Sequence, residues 1–167
     1  MQFSIASSSL KTPRYQGLRL TFGEHRNALV EQLMVTEPRY LLWISDPATR
    51  FRPETVPVHI RSCFKFADHV GFPRARCETL GCVGIVGIMA LYYGSTTVRW
   101  LCGRCAENNI NDTCIQISTL RQCITIVSGF PRPKVMLGKI MPQLWDAKGM
   151  KRPRTEAAVL EFFNRRG

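Results

Sequence analysis

Four of the seven cysteines form two pairs whose spacing is typical of a metal site. Cys77 and Cys82 lie in RARCETLGC, and Cys102 and Cys105 lie in WLCGRC, which gives the pattern C-x4-C-x19-C-x2-C. Four thiolates, each about 2.3 Å from the ion, form a usual tetrahedral site for structural zinc and leave no coordination position open. The pattern therefore predicts one structural Zn²⁺ per chain. The alternative is four packed thiols without a metal, because free cysteine is often a small buried hydrophobe.

The segment between the two pairs predicts a β-hairpin. IVGIMALYY and TTVRWL are rich in β-branched and aromatic residues, and Gly94-Ser95 marks a turn. A hairpin of this length carries the chain out and back, so that the second pair returns beside the first. Gly81 and Gly103 are expected to let the backbone turn tightly around the sulfur atoms.

After the hairpin, the sequence predicts a helix that Asn111 or Asp112 caps. Its apolar stripe consists of Cys114, Ile117, Leu120, Ile124 and Val127. The three cysteines outside the metal pattern, Cys63, Cys114 and Cys123, are predicted to be core residues on the apolar sides of helices. A zinc hairpin that leads into a helix resembles zinc-ribbon and treble-clef modules, and this resemblance implies a docking unit for nucleic acid or protein.

The charge of the chain favours a polyanionic partner. It has 23 Lys and Arg against 12 Asp and Glu, a net charge of +11 and a pI near 9.8. Such a balance attracts nucleic acid most often and an anionic membrane surface less often. A membrane-spanning helix needs about 20 apolar residues, and the longest apolar stretch, 83–93, is shorter and interrupted by glycines. We therefore expect nucleic acid and no membrane as the partner.

Three groups of basic residues are candidates for contacts with phosphates. They are Arg74, Arg76, Arg99 and Arg104 near the cysteines, Lys148, Lys151, Arg152 and Arg154 in the tail, and His25 and Arg26. Lys and Arg supply the counterion-releasing contacts that dominate such binding. The first two groups are expected to form one continuous positive face, although the run KGMKRPR in the tail could equally be a solvated linker. Trp100 could add a stacking surface, but a buried role is the more common one.

Residues 17–72 predict a strand followed by three short helices. LRLTF alternates like a strand that Gly23 ends, and NALVEQLMV has apolar residues at helical spacing. Pro38 stands where a second helix would start. HIRSCFKFADHV predicts the third helix, with Cys63 and Phe64 on its inward side.

FGEHRNALVEQL followed by EPRYLLWI resembles the small C-terminal module of exodeoxyribonuclease X-type exonucleases. The shared positions are Phe22, Gly23, His25, Arg26, Leu29, Glu31, Pro38, Tyr40, Leu41, Trp43 and Ile44. Glu24 stands in place of a basic residue and Asn27 in place of a glycine, although Asn also adopts positive φ. The resemblance implies an accessory module that helps to engage DNA.

Two structural expectations belong to this module. Phe22, Tyr40, Leu41 and Trp43 are expected to form a small core, since aromatic residues at helical spacing are usually buried. Gly23 is expected to lie in a turn that presents His25 and Arg26.

No catalytic constellation is found in the sequence, so no enzyme activity is expected. The catalytic domain of the exonucleases needs clustered acids to hold two metal ions, whereas the acidic residues here are scattered singly. We also find no nucleotide-binding glycine loop and no Ser-His-Asp arrangement. His59 and His69 are interpreted as structural.

These patterns predict an α+β protein with four segments. They are a flexible leader (1–16), the exonuclease-X-like helical module (17–72), the zinc hairpin with its helix (73–130) and a basic helical segment (131–167). VMLGKIMPQLW and RTEAAVLEFFNRR supply the helices of the last segment.

The predicted function is binding of nucleic acid by a zinc-stabilised protein. Seven cysteines without a secretory signal indicate a reducing compartment, and we expect the cytoplasm. The serine-rich N-terminus is interpreted as a leader, with an organellar transit peptide as the less favoured alternative. The alternative function is a protein-docking adaptor whose positive charge complements an acidic partner. Phage origin is one option for such an adaptor.

Overall fold

The computed structural model of the protein describes residues 17–92, 95–108 and 114–165. Within these ranges the fold is α+β, as predicted, with seven α-helices and one three-stranded antiparallel sheet. The elements, in chain order, are α1 Val30–Thr36, α2 Pro38–Ser45, α3 Thr55–His69, β1 Val86–Tyr92, β2 Val98–Cys102, α4 Gly103–Glu107, β3 Cys114–Ile117, α5 Leu120–Ser128, α6 Pro133–Ala147 and α7 Glu156–Asn164. The predicted leader (1–16) lies outside the described residues.

The turn before α1 has the backbone that the sequence predicts. Gly23 has φ +70° and Asn27 has φ +68°, a left-handed conformation that Asn tolerates better than most residues. A Cβ on Gly23 would lie 2.6 Å from the Tyr40 hydroxyl, so this position also needs glycine for space. Pro38 begins α2, where its missing N–H costs no hydrogen bond. The predicted turn and the predicted second helix are therefore both confirmed.

Two predictions of secondary structure are wrong. LRLTF forms no strand, because its pairing is limited to one bridge between Arg19 and Leu29. The predicted helix through Cys114 is instead strand β3, which pairs with β1, and α5 begins only at Leu120. Thr119 provides the helix start, because its hydroxyl accepts a hydrogen bond from the Gln122 amide at 3.1 Å. Asn111 and Asp112, the predicted caps, lie outside the described residues.

The predicted hairpin forms two of the three strands of the sheet, with β1 in the centre and β2 at one edge. The strand order is β2-β1-β3, and β1 pairs with β2 in the register Val86↔Cys102, Met89↔Trp100 and Leu91↔Val98. Val86 therefore lies opposite Cys102, so the open end of the hairpin carries the second cysteine pair. This register places the two cysteine pairs at the same end of the sheet.

Side chains from the N-terminal helices, the sheet and the C-terminal helices share one hydrophobic core. At the C-terminal end, Trp145 of α6 packs edge-on against Phe162 of α7 at a centroid distance of 5.8 Å. Helix α6 continues through Pro142. Among the described helices, none combines the length and the apolar character needed to cross a membrane.

A buried ion pair joins α1 to α3. Glu31 is fully buried, and its carboxylate lies 2.7 Å from His59 Nε2. The other carboxylate oxygen accepts a hydrogen bond from the Leu18 amide at 3.2 Å. Burial alone would lower the pKa of His59, but hydrogen bonds with Cys63 and Glu31 outweigh it and raise the pKa to about 9. His59 is thus structural, as predicted, and carries a positive charge at neutral pH.

This pair predicts that stability falls at alkaline pH. The pKa of His59 is higher in the folded chain than its ordinary 6.5, so its stabilisation is complete below pH 6.5 and is lost as pH rises through about 9. The full shift would correspond to about 3.4 kcal/mol, and screening at the partly exposed His59 side chain reduces this to about 2–3 kcal/mol. Urea unfolding of wild type and His59→Gln at pH 6 and pH 9.5 should therefore show a difference in free energy that shrinks at the higher pH.

His69→Gln is the matched control, because His69 lies exposed on the same helix. It should follow wild type at both pH values. Burial lowers the pKa of Lys148 to about 8, which acts in the opposite direction, but Lys148 is present in all three proteins and cancels in the comparison. A His59→Gln difference that is the same at both pH values would contradict the charged pair.

Candidate metal centre

The four predicted cysteines meet in one cluster that could hold a metal ion. Their sulfur atoms all lie within 4.8 Å of one another. The Cys82–Cys102 and Cys82–Cys105 sulfur distances are 3.7 and 3.5 Å. Four sulfurs at tetrahedral positions about 2.3 Å from one ion would be separated by about 3.8 Å. The geometry therefore fits a single tetrahedral ion, and it excludes disulfides, whose sulfurs are about 2 Å apart.

Backbone amides point at the sulfur atoms and favour the thiolate form. The Cys102 amide lies 3.4 Å from Cys77 Sγ, and the Gly84 amide lies 3.4 Å from Cys82 Sγ. The hydrogen bond from Cys102 is the main cause that lowers the pKa of Cys77 to about 6. Thiolates are the metal-binding form of cysteine, so this hydrogen bond prepares Cys77 for a cation. A hydrogen bond with Thr79 lowers the pKa of Cys105, but hydrogen bonds with Cys82 and Cys102 outweigh it and raise this pKa to about 12.

The sulfur cluster requires glycine at position 84, which the sequence analysis did not single out. A Cβ on Gly84 would lie 2.7 Å from Cys102 Sγ and 3.4 Å from Cys82 Sγ, which is closer than the sulfurs allow. Gly81 has φ +74°, so its predicted role in a tight turn is confirmed. The same prediction for Gly103 is wrong, since this residue begins α4 with open space around it.

The first segment of the cluster is tied to its surroundings by main-chain hydrogen bonds. The Glu78 amide donates to the Trp100 carbonyl at 2.9 Å, which fixes the first cysteine pair to strand β2. The Arg74 amide donates to the Ala147 carbonyl at 3.0 Å, which fixes the approach to Cys77 against the end of α6. The cluster therefore joins the hairpin to the C-terminal helices.

A second cluster of possible ligands consists of Glu31, His59 and Cys63. His59 and Cys63 are four residues apart on α3, so both lie on one helix face. This spacing is the signal in the sequence that could have identified the cluster. Cys63 and Cys123 are buried on helices, as predicted, whereas Cys114 is half-buried on strand β3. The 2.7 Å separation between His59 and Glu31 is that of a hydrogen-bonded pair, so we assign this cluster to the ion pair described above.

Part of the predicted basic set meets in one surface groove. The groove has a volume of about 740 Å³ and is lined by Arg74, Arg76 and Arg152 together with Trp100. Arg74 and Arg76 are exposed and have no acidic side chain within 4 Å among the described residues. Two acids also line the groove, but Glu78 pairs with Arg99 at 3.5 Å and Asp146 pairs with Arg152 and Arg154. The groove therefore carries an excess of positive charge.

The tail contributes less to the surface than the sequence predicts. Lys148 is only 1% exposed, and its ammonium group donates to the Ala67 carbonyl at 2.6 Å. Its prediction as a phosphate contact is wrong, because a buried lysine bonded to main-chain oxygen cannot reach a ligand. Arg154 is largely covered and bonds the Pro142 carbonyl at 2.7 Å, and Lys151 pairs with Glu161 at 2.9 Å. Arg104 is exposed between Cys102 and Cys105.

The aromatic residues of the N-terminal part are placed differently from the prediction. Trp43 is 57% exposed, so its predicted burial is wrong. Leu41 is fully buried, as predicted, while Tyr40 is half-buried and packs against the ring of His25 at 4.6 Å. Helix α2 turns its Leu41 and Ile44 face to the core, and Trp43 falls on the opposite face.

Three aliphatic side chains beside the first cysteine pair lie in solvent. Leu80, Val83 and Ile85 are 93–101% exposed. Leu80 and Val83 flank Cys82 within two positions, so they border the sulfur cluster directly. Apolar side chains this exposed are costly to leave in water when they are grouped.

Comparison of the chain with protein-family models, with curated proteins and with solved structures found no match. The resemblance to the exonuclease module therefore stays a prediction that rests on its sequence positions. The properties of the site follow from its own geometry.

The close contact at Gly84 predicts that a single methyl group damages the metal centre. Gly84→Ala should weaken metal binding at least tenfold and lower the free energy of unfolding by about 1–3 kcal/mol, because the new Cβ must displace Cys102 Sγ. Competition with a chromophoric chelator measures the first effect and urea unfolding the second. Gly87→Ala is the matched control, since nothing lies within 4 Å of its Cβ position. Equal metal affinity in both variants would refute the geometry.

Proposed function

We propose that the protein binds nucleic acid through the groove beside a structural zinc ion and that it catalyses no reaction. The observation that carries this proposal is the groove itself, in which Arg74 and Arg76 face solvent without acidic partners and Trp100 supplies an aromatic surface. A net charge of +11 adds long-range attraction to any polyanion.

Zinc is the ion that best suits the cluster. A tetrahedral set of four sulfurs selects zinc or an iron centre. We favour zinc because it has no redox chemistry and so needs no electron-transfer partner. All four positions would be filled by protein ligands, so the ion would stabilise the fold and would activate no water. Cys77, Cys82, Cys102 and Cys105 would hold it.

The groove suits a phosphate backbone because of its composition. Guanidinium groups form paired hydrogen bonds with phosphate oxygens and stay charged at any pH of interest. The two acids of the groove are already neutralised by arginines, so they offer little repulsion to an incoming phosphate. Contacts of this kind position a nucleic acid without reading its sequence.

The metal assignment predicts one zinc ion per chain in purified protein. Elemental analysis of the metal content should find it, and Cys102→Ser or Cys105→Ser should lose it. A chelator should lower the melting temperature, because the binding energy of a structural zinc ion is largely folding energy. Cys123→Ser is the control, since Cys123 is a buried thiol outside the cluster. Well-folded protein that contains no metal, or iron in place of zinc, would overturn the assignment.

The groove predicts salt-dependent binding that depends on its arginines. The logarithm of the binding constant should fall by about 0.7–0.9 per phosphate contact for each tenfold rise in salt. Arg74→Glu with Arg76→Glu should weaken binding to oligonucleotides of unrelated sequence alike and should make this slope shallower. Fluorescence anisotropy with labelled DNA and RNA at several salt concentrations measures both effects.

The control for charge is a double variant that changes the net charge by the same amount. Lys65→Glu with Arg121→Glu meets this need, because both residues are exposed on helices and neither lines the groove. This control variant should lose only the weak long-range attraction to nucleic acid that comes from the net charge. If both double variants lose the same affinity, the groove is not the binding site. If wild type binds no nucleic acid at low salt, the proposed function fails.

The exposed aliphatic residues favour one alternative function, a docking adaptor for an acidic partner protein. Leu80, Val83 and Ile85 are not needed for phosphate contacts, yet they lie in solvent, and Val83 and Ile85 line one cavity with Arg76. Protein interfaces combine an apolar centre with a polar rim. Under this alternative, wild type would show no salt-dependent affinity for nucleic acid.

A further inference from the structure

The N-terminal helices present a second surface of aromatic rings, which we call the Trp43 surface and define as His25, Tyr40 and Trp43. The rings form a connected series, with centroid distances of 4.6 Å from His25 to Tyr40 and 6.1 Å from Tyr40 to Trp43. Trp43 is 57% exposed. A tryptophan that the fold leaves in water has a face free for a flat ligand.

Positive charge surrounds the Trp43 surface. Arg39 precedes Tyr40 and lies one helical turn before Trp43, a spacing that makes the two side chains neighbours on α2. Arg26 follows His25 in the turn after Gly23. Both arginines are exposed and have no acidic partner within 4 Å in the part of the chain that the structure describes. Two acids lie near this surface: Glu24 is 3.4 Å from His25, and Glu37 is 4.0 Å from Lys134.

A cavity opens beside the rings. Its volume is about 460 Å³, and its lining includes Arg39, Tyr40, Lys134 and Glu37, whose carboxylate lies 4.0 Å from the Lys134 ammonium. Tyr40 therefore belongs both to the ring series and to the cavity wall. Arg39 is the cation of this cavity without an acidic partner among the described residues, and a cation next to an aromatic ring suits a nucleotide, with the phosphate on the cation and the base on the ring.

We infer that the Trp43 surface binds the unpaired bases of single-stranded nucleic acid. In a duplex each base face is covered by the next base pair, so an exposed indole can stack only on bases that are unpaired. Arginines beside the rings hold the phosphates while the bases stack. This inference rests on the proposed function and adds to it a preference for single strands at a site distinct from the groove.

The test compares single-stranded and duplex probes in a Trp43→Ala variant. The probes are a 12-nucleotide oligothymidylate, an oligouridylate of equal length and a hairpin duplex, each with a fluorescent label. Stacking on one aromatic residue contributes enough that Trp43→Ala should weaken single-strand affinity about 5- to 100-fold. Duplex affinity should stay within twofold of wild type. Trp43→Phe should retain most of the single-strand affinity, because it keeps an aromatic face.

Val58→Ala is the matched control, since Val58 is 51% exposed on α3 and has no ring. It should bind every probe as wild type does. Unfolding curves should be the same for Trp43→Ala and wild type, because the indole is not part of the core.

Two results would overturn this inference and leave the proposed function standing. In the first, wild type binds the probes but Trp43→Ala binds the single strands equally well. In the second, wild type self-associates, Trp43→Ala abolishes the self-association, and oligonucleotide affinity does not change, which would assign the surface to protein contact. Absence of binding to every probe by wild type would instead overturn the proposed function, and this inference with it.

Discussion

The convergence of four sulfur atoms at one end of the sheet is the constraint on which the rest of the structure depends. It joins the segment around Cys82, whose neighbouring apolar side chains lie in solvent, to the buried segment that contains Cys102 and Cys105. An ion at this point would replace the missing hydrophobic contacts with coordination bonds. The hairpin register, the glycine at position 84 and the amide hydrogen bonds to sulfur all follow from that requirement.

Buried charges form the second set of links between distant segments. Glu31 and His59 connect α1 to α3, and Lys148 connects the end of α6 to the end of α3 through the Ala67 carbonyl. Lys148 also lies over the ring of Phe72 at 4.4 Å. A charge removed from water must find partners, since an unpaired one costs several kcal/mol. These links fix the helices relative to the sulfur cluster and hence shape the groove beside it.

The positive charge of the chain is divided between structure and surface. Lys148 and Arg154 serve the interior, and several exposed arginines are paired with carboxylates. What remains for a ligand is a smaller set near Cys77 and a second set near Trp43, each beside an aromatic ring. Cations with adjacent rings suit a ligand that has both phosphates and flat bases better than they suit a plain acidic surface.

The sequence by itself determined which four cysteines meet, the hairpin between them, the α+β class and the start of α2 at Pro38. Each of these depends on residue type and local spacing, because thiolates bind metal wherever the chain can turn back and Pro favours the first helical position. Only the tertiary structure decided which cations are accessible and which ring is exposed. Lys148 and Trp43 were both misassigned from local pattern. The exposure of a side chain depends on which distant elements pack against it, as α3 does against Lys148. Helical spacing in the sequence does not show which elements these are, so it cannot predict exposure.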